Sequence, residues 1–381
     1  MSAAPVLKLE DVKNMVQSLR GKGSRIVFTV GAYDLIHSGQ SHFLAEARTW
    51  GDCLVVGVAS DASRRQLRGP GHPLVSEQDR AETLSYLRPV DAVTVVDERD
   101  LLDVLSFLQP TVFYTIEDDW KKNVRSSEEE ELVSSYGGNV VKADRIEPFI
   151  SSSEIVEKLA RFTLSKHLNS FFGKEVLNIG REEPPFVDLG DQKPRDILSY
   201  AYLGEVVTWE NLDKLRKKLR KENKSISFVS GSYDLVHVGH VRFIEKASEW
   251  GDVLVVGIPS DKQIKELKGP RRPIVSQRSR AELLRFFQPV DYVTVLPDSM
   301  VKALDLLHPD VFQTVDEAWN SGFKESPECA TVCEYGGEIK LVERQAPFVS
   351  SQRMIEKAAG LRVRKMFSAC LEAVGQNEQR S

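Results

Sequence analysis

Cysteine is scarce in this chain, with four in 381 residues, at positions 53, 329, 333 and 370. They form no CxxC framework, which excludes a disulfide scaffold and a structural zinc site of the usual spacing and points to a reducing compartment. Cys329 and Cys333 are spaced for one helix face, where burial is the expected reason for both. Also missing is any uninterrupted apolar run of about 18 residues, so no membrane span is expected. The opening MSAAPVLKLEDVKNM contains acids and no long apolar core. The expectation is therefore a cytoplasmic, unanchored protein. An excess of one charge is lacking too: 51 Lys and Arg stand against 56 Asp and Glu, a formal net charge of -5. That excludes a chain-wide electrostatic footprint for nucleic acid, so any anionic ligand must be held by a local site.

What the chain does contain is itself, twice. Shifted by 200 residues, GAYDLIHSGQ (31–40) falls on GSYDLVHVGH (231–240), and 33 of the 66 positions in 31–96 are identical to those in 231–296. Upstream, Val12, Met15 and Leu19 fall on Leu212, Leu215 and Leu219, the apolar face of a helix. At an offset of 199, Trp120 pairs with Trp319, Tyr136-Gly137-Gly138 with Tyr335-Gly336-Gly337, and Ser151-Ser152 with Ser350-Ser351. The repeat is a domain duplication, too long in period for a solenoid.

In each copy, short β-branched runs such as SISFVS (225–230) and DVLVVGI (252–258) alternate with amphipathic helices. This is the pattern of a mostly parallel α/β sheet with helices on both faces. Ligands of such sheets bind beyond the C-terminal strand ends, where 231–240 would lie. The expected division is a first domain at 1–165, a connector at 166–205, a second domain at 206–360 and a C-terminal helix and tail at 361–381. The connector's Phe171, Phe172 and Leu177 need cover, so the two domains are expected to dock as an intramolecular pseudo-dimer. The basic run LDKLRKKLRKENK (212–224) reads as the solvated face of a helix, because the equivalent helix of the first copy is far less basic.

His237 and His240 are three residues apart, just after a strand, so both rings would project from nearly one face of a helix start. Gly239 removes a side chain where a phosphate would approach, and the helix N-terminus supplies free N–H donors. Together these read as an anion site. No third ligand of the HExxH kind stands nearby, so a protein-held metal is not expected.

The segment GSYDLVHVGHVRFIEKASEWGDVLVVGIPSD resembles the signature region of HxGH cytidylyltransferase-like enzymes. The wording SDxxxxxLKGPxRPIVxxxxRAELL, with YGGEI later, is similar to the adenylyltransferase half of the bifunctional ADP-heptose synthase. The tandem layout resembles ethanolamine-phosphate cytidylyltransferase, and IEDDW (116–120) resembles the GDDW of glycerol-3-phosphate cytidylyltransferases. The resemblance implies two tandem Rossmann-like domains of the HUP type. It also implies transfer of a nucleoside monophosphate from ATP or CTP to a small phosphorylated acceptor, with Mg²⁺ accompanying the triphosphate and pyrophosphate released. On this likeness His237, His240 and Lys268 would be catalytic. Gly231, Ser232, Tyr233, Asp234, Gly239, Arg280, Ser350 and Ser351 would hold the nucleotide. The expected partners include neither nucleic acid nor membrane, and a homodimer is possible in this family.

The first copy departs from the pattern. Its candidate site comprises Gly31, Tyr33, Asp34, His37, Gln40, Arg68, Ser151 and Ser152, with Gln40 in place of the second histidine. Loss of the charge-assisted contact costs on the order of 1 to 2 kcal/mol, about tenfold or more in rate, so this copy is expected to be weak or silent. Ser151 to Glu154 also reads as a capping box, whereas Arg353 at the fourth position makes capping a poorer account of Ser350. In the second copy DEAW (316–319) sets Asp316 where the family carries glycine, an acidic side chain expected to disfavour phosphate or the usual acceptor. Two other readings compete. One is a catalytically silent nucleotide sensor; the other is a relative of aminoacyl-tRNA synthetases, which HVGH would suit although no KMSKS-like loop is in place.

Overall fold

A computed structural model describes residues 3–117, 126–144, 155–158, 203–270, 272–317 and 322–346, and 350–351, 353–358 and 360 in the last helix. Ser151, Ser152, Trp120, Trp319, connector residues 166–202 and the tail from 361 lie outside the described residues.

The first copy forms β1 (Val6–Leu7), α1 (Leu9–Gly21), β2 (Ile26–Gly31), α2 (Ser38–Arg48), β3 (Cys53–Ala59), α3 (Asp61–Arg68), α4 (Glu77–Ser85), β4 (Ala92–Val96), α5 (Leu101–Leu108), β5 (Val112–Ile116), α6 (Ser126–Ser135) and β6 (Asn139–Ala143). The second repeats it as β7 (Glu205–Val206), α7 (Leu212–Lys221), β8 (Ile226–Ser230), α8 (Val238–Ser248), β9 (Val253–Ile258), α9 (Asp261–Lys268), α10 (Gln277–Leu284), β10 (Tyr292–Val295), α11 (Met300–Leu307), β11 (Val311–Val315), α12 (Pro327–Glu334) and β12 (Glu338–Val342). Both sheets are six-stranded and parallel, ordered β1-β4-β3-β2-β5-β6 and β7-β10-β9-β8-β11-β12. Strand order reverses between β2 and β5, and between β8 and β11, so a crevice opens beyond the C-terminal ends of those strands.

Alternation along the strands feeds two layers. Ile26, Phe28 and Val55 pack with Val12, Val16, Leu105 and Leu108 on one face, whereas Val27, Leu54 and Val56 face the other. That second face does not end at the domain edge. Its cluster runs through Leu84 and Leu87 into Ile244, Leu283, Phe286 and Phe287, one apolar core shared by both copies.

The docking is a near-twofold exchange of equivalent residues. Arg88 donates its backbone N–H to Phe286 O and Gln288 donates its own to Tyr86 O, each at 2.8 Å. Arg242 meets Glu82 through two bonds of 2.6 Å, and His42 meets Glu282 at 3.0 Å. Positions 42 and 242, and 82 and 282, are 200 apart, so the contact is isologous, as in a homodimer. A third shared cluster joins Leu35, Leu74 and Ile155 to Leu235, Ile274, Met354 and Ile355, and Lys357 donates to Pro73 O (2.7 Å) and Leu74 O (3.0 Å). The last helix of the second copy thus rests on a turn of the first.

Expectations elsewhere fare unevenly. Leu212, Leu215 and Leu219 are the buried face of α7. Of the two cysteines on α12, Cys329 is buried but Cys333, one turn further on at the helix end, is exposed. Among the described residues no helix is long and apolar enough to cross a membrane.

Candidate active site

The crevice of the second copy is entered through the loop between β8 and α8. Tyr233 sits there in the left-handed region (φ 46°), with its ring buried and folded back over Gly231, where a Cβ would lie 2.9 Å from Tyr233 Cε2. Gly231 is therefore required by the tyrosine. His237 is the N-cap residue of α8, in extended backbone and making no side-chain cap bond. His240 follows one turn in. The two rings stack with centroids 4.0 Å apart at 29°, and Tyr233 closes on His240 at 5.2 Å. The sequence expectation of two imidazoles on one face is met.

Burial, then the Arg344 guanidinium, push His237 down to about 4. Desolvation, followed by His237, Lys268 and Arg344, holds His240 well below the ordinary histidine value. Both rings are neutral at pH 7, so the expected contrast between a charged His240 and a neutral Gln40 is absent in the unliganded protein. A bound anion would favour a proton on the pair and restore that contrast. The Nδ1 atoms of His237 and His240 are buried with no hydrogen-bond partner. Unpartnered buried nitrogens of this kind call for a ligand.

Lys268, at the end of α9, donates to Ser232 Oγ at 2.9 Å, and burial, then the neighbouring Arg272, depress its pKa. The lysine thus arches over the β8–α8 loop, which brings Ser232, Lys268, His237 and His240 to one mouth. Arg344, just past β12, joins them, held by Glu317 through bonds of 2.9 and 2.6 Å. The sequence reading missed Arg344. Of the acids in DEAW, Glu317 pairs with Arg344, and Asp316, the expected obstacle, accepts the Glu317 backbone N–H at 2.7 Å.

Five expected nucleotide contacts have other employment. Arg280 has a fully buried side chain and donates to Val275 O, Ser232 O and Pro259 O at 2.9 to 3.0 Å and to Asp261 at 2.8 Å. It is an internal brace, with its donor fork filled by the protein. Asp234 accepts the N–H groups of Ile274 (2.8 Å) and Val275 (2.9 Å) and pairs with Arg272 at 2.6 Å. It pins the 272–275 turn and leaves little for a nucleotide. Gly239 avoids a different neighbour from the one expected: a Cβ there would lie 2.3 Å from Gln345 O, so the chain beyond β12 fills that space. Ser350 caps after all, accepting the Arg353 N–H at 3.2 Å, because that bond needs only the backbone of the fourth residue. Ser351 donates to Leu235 O at 3.1 Å and so ties the last helix to the histidine loop.

The first copy keeps the scaffold and loses the mouth. Tyr33 is left-handed (φ 48°) beside Gly31, and Asp34 takes the N–H groups of Leu74 (2.7 Å) and Val75 (2.9 Å). Arg80 braces Val75 O, Ala32 O and Asp61. His37 caps α2 as His237 caps α8. Ser232, Lys268 and Arg272 are replaced by Ala32, Arg68 and His72, so the lysine–serine arch has no counterpart. Gln40 leaves its Oε1 buried and unpartnered.

The chain is 38% identical over 139 residues to the bifunctional protein HldE of Syntrophotalea carbinolica and 45% identical over 147 residues to that of Helicobacter pylori. These matches cover 35% and 38% of this chain but only 27% and 30% of the relatives' own length. A solved lipopolysaccharide core biosynthesis protein from Thermoplasma volcanium is 28% identical, across 32% of this chain and 100% of that one, with a TM-score of 0.28. The profile of the cytidylyltransferase-like family matches residues 28–158 and again 228–357. With both α/β copies covered, the chain belongs to the cytidylyltransferase-like family of nucleotidyltransferases, and does so twice over.

Proposed function

We propose that the second copy transfers a nucleoside monophosphate from ATP or CTP to a phosphorylated small molecule, a sugar phosphate foremost, and releases pyrophosphate. The observation that carries this reading is the stacked, neutral His237–His240 pair at a helix N-terminus, ringed by Lys268, Ser232 and Arg344. An acceptor phosphate oxygen attacks the α-phosphorus, the bond from that phosphorus to the bridging oxygen breaks, and the electron pair leaves with pyrophosphate. The acceptor is already an oxyanion, so no protein base is needed; alignment and charge neutralisation suffice. The pair meets the growing charge by donating from the imidazoles and by taking up a proton as the anion arrives, while Lys268 and Arg344 supply fixed positive charge. Among the described residues no group of three or more His, Cys, Asp or Glu could cage a metal. Asp234 is already committed to Arg272 and two amides. Mg²⁺ would accordingly be held by the triphosphate's own oxygens and shield its charge.

The likeness to HldE, an ADP-heptose synthase, favours a sugar phosphate as acceptor. The first copy acts on this reading as a scaffold or a silent nucleotide site, since Ala32, Arg68, His72 and Gln40 strip its mouth. The test is pyrophosphate release from ATP and from CTP with Mg²⁺ and a panel of sugar, polyol and amino-alcohol phosphates. Release that depends on one acceptor, and falls about tenfold or more in His240→Gln, is expected. Saturable nucleotide binding with no release from any acceptor would instead identify a sensor.

A further inference from the structure

A cleft of about 490 Å³ opens at the opposite end of the second sheet, where β11 and β12 begin and α7 ends. Arg216, Lys217, Arg220 and Lys221 of α7 line it, facing His308 and Tyr335. We propose that this cleft binds a small phosphate-bearing anion, at a site separate from the histidine pair.

The first copy serves as an internal control for which of these cations the fold itself needs. Arg220 bonds His308 O (3.0 Å) and Asp310 (2.8 Å), and Asp310 also accepts the Ile226 N–H at 2.6 Å. Arg20 likewise bonds Leu108 O at 3.1 Å and Gln109 O, and Thr111 accepts the Ile26 N–H at 3.1 Å. That clamp is architecture common to both copies, and it consumes Arg220 and Asp310. The other three cations fall outside it, for Arg216, Lys217 and Lys221 stand where the first copy has Val16, Gln17 and Gly21. Val16 is buried in the core, whereas Arg216 lines the cleft. Asp213 is one carboxylate shared between Arg216 (2.5 Å) and Lys217 (2.6 Å), and Lys221 has no ion-pair partner among the described residues. Positive charge is thus concentrated in a concavity of a chain whose net charge is -5, an arrangement that an anion relieves.

Half of the aromatic wall is particular to this copy, since Tyr335 has its counterpart in Tyr136 but His308 has none. His308, where the first copy has Gln109, lies flat against Tyr335 with centroids 4.6 Å apart and planes 6° from parallel. The cleft lies within the roughly 300 to 1,000 Å³ common for small-molecule sites, and its lining sets cationic side chains beside an aromatic pair. Inorganic phosphates and nucleotides share the chemistry the cations recognise; the ring pair offers the latter a stacking face.

The test is lysine labelling of the intact chain, read by mass spectrometry, with pyrophosphate, a nucleotide or a short RNA as competitor. Pyrophosphate or nucleotide should protect Lys217 and Lys221 saturably while leaving the exposed Lys8 unchanged. Arg216→Gln should weaken that protection about tenfold, the worth of one charge-assisted hydrogen bond. His240→Gln should leave it intact, which separates failure here from failure of the proposed transfer site. His308→Ala distinguishes the sources: it weakens protection by nucleotide more than by pyrophosphate when the base stacks, and neither when phosphate alone is read. Equal labelling of Lys8, Lys217 and Lys221 at every concentration, or protection by RNA alone, would overturn the proposal.

Discussion

Part of the acid destabilisation of this protein should come from one identifiable ring. His237 is 9% exposed and titrates at about 4 in the folded chain, against an ordinary value of 6.5. Below about pH 6.5 the unfolded chain binds a proton that the folded chain refuses until about pH 4, so stability rises with pH across that window and is lost as pH falls through it. At pH 5 the difference amounts to about 2 kcal/mol for this ring alone, and His240, also depressed by burial, adds loss of the same sign. Carboxylates such as Glu282, held low despite its burial by the His42 hydrogen bond, also lose stability in acid, so the wild type alone cannot isolate the imidazole.

The informative comparison is His237→Gln, because position 237 makes no side-chain cap bond and a glutamine there forfeits none. Urea unfolding of both proteins at pH 7.5 and pH 5.0 should show the variant losing about 2 kcal/mol less than the wild type between the two. Equal losses, within the roughly 0.5 kcal/mol scatter of distant effects, would mean that His237 is solvated or already protonated, and the account of a neutral pair would fail.

Binding of a triphosphate near pH 6 should draw in part of a proton, seen as a calorimetric heat that changes with the ionisation enthalpy of the buffer; a buffer-independent heat would count against protonation of the pair on binding. Gly239→Ala, a gain of about 1 kcal/mol in an ordinary helix, should instead cost about 1 to 3 kcal/mol, because its Cβ would meet Gln345 O at 2.3 Å; thermal denaturation decides the sign. Arg80→Lys and Arg280→Lys should each cost about 3 kcal/mol or more in urea unfolding, since both break the same buried brace; loss of nucleotide binding by the second with unchanged stability would restore the role read from sequence. At the docking surface Phe287→Ala should cost about 3 to 5 kcal/mol and Arg242→Ala under about 1 kcal/mol, a ranking that denaturant titration can reverse or uphold.

The parallel sheets and the placing of the histidines were legible because both are written in local periodicity. Short, β-branched continuous runs such as DVLVVGI suit doubly covered strands, and a pair three residues apart at a helix start shares a face. Docking was legible as a need for cover, but its means were not. The shared core is made by Phe286, Phe287 and Leu87, which read as ordinary interior residues, and the cover expected of Phe171 and Phe172 falls outside the described residues. Less legible still was the division of labour among polar residues. Asp234, Arg280 and Ser350 have the right chemistry for phosphate, and only the distances reveal that their bonding capacity is used inside the protein. Arg344 escaped notice for the opposite reason: its partner Glu317 is 27 residues away in sequence, and nothing local joins them.

The duplication supplies a way to separate these cases that a single-copy protein would lack. Both copies must build the same sheet, so a polar contact present in both belongs to folding: Asp34 with Asp234, Arg80 with Arg280, Arg20 with Arg220. Polar side chains whose chemistry the other copy does not share have no such duty. At the C-terminal strand ends these are Ser232, Lys268, Arg272 and His240; at the opposite end they are Arg216, Lys217, Lys221 and His308. An ion pair that merely tolerates burial contributes little net stability. Unduplicated cations gathered at a crevice are therefore better accounted for by something that binds there than by anything the fold requires. The same subtraction that gives Arg280 a structural duty supports both proposed anion sites of the second copy.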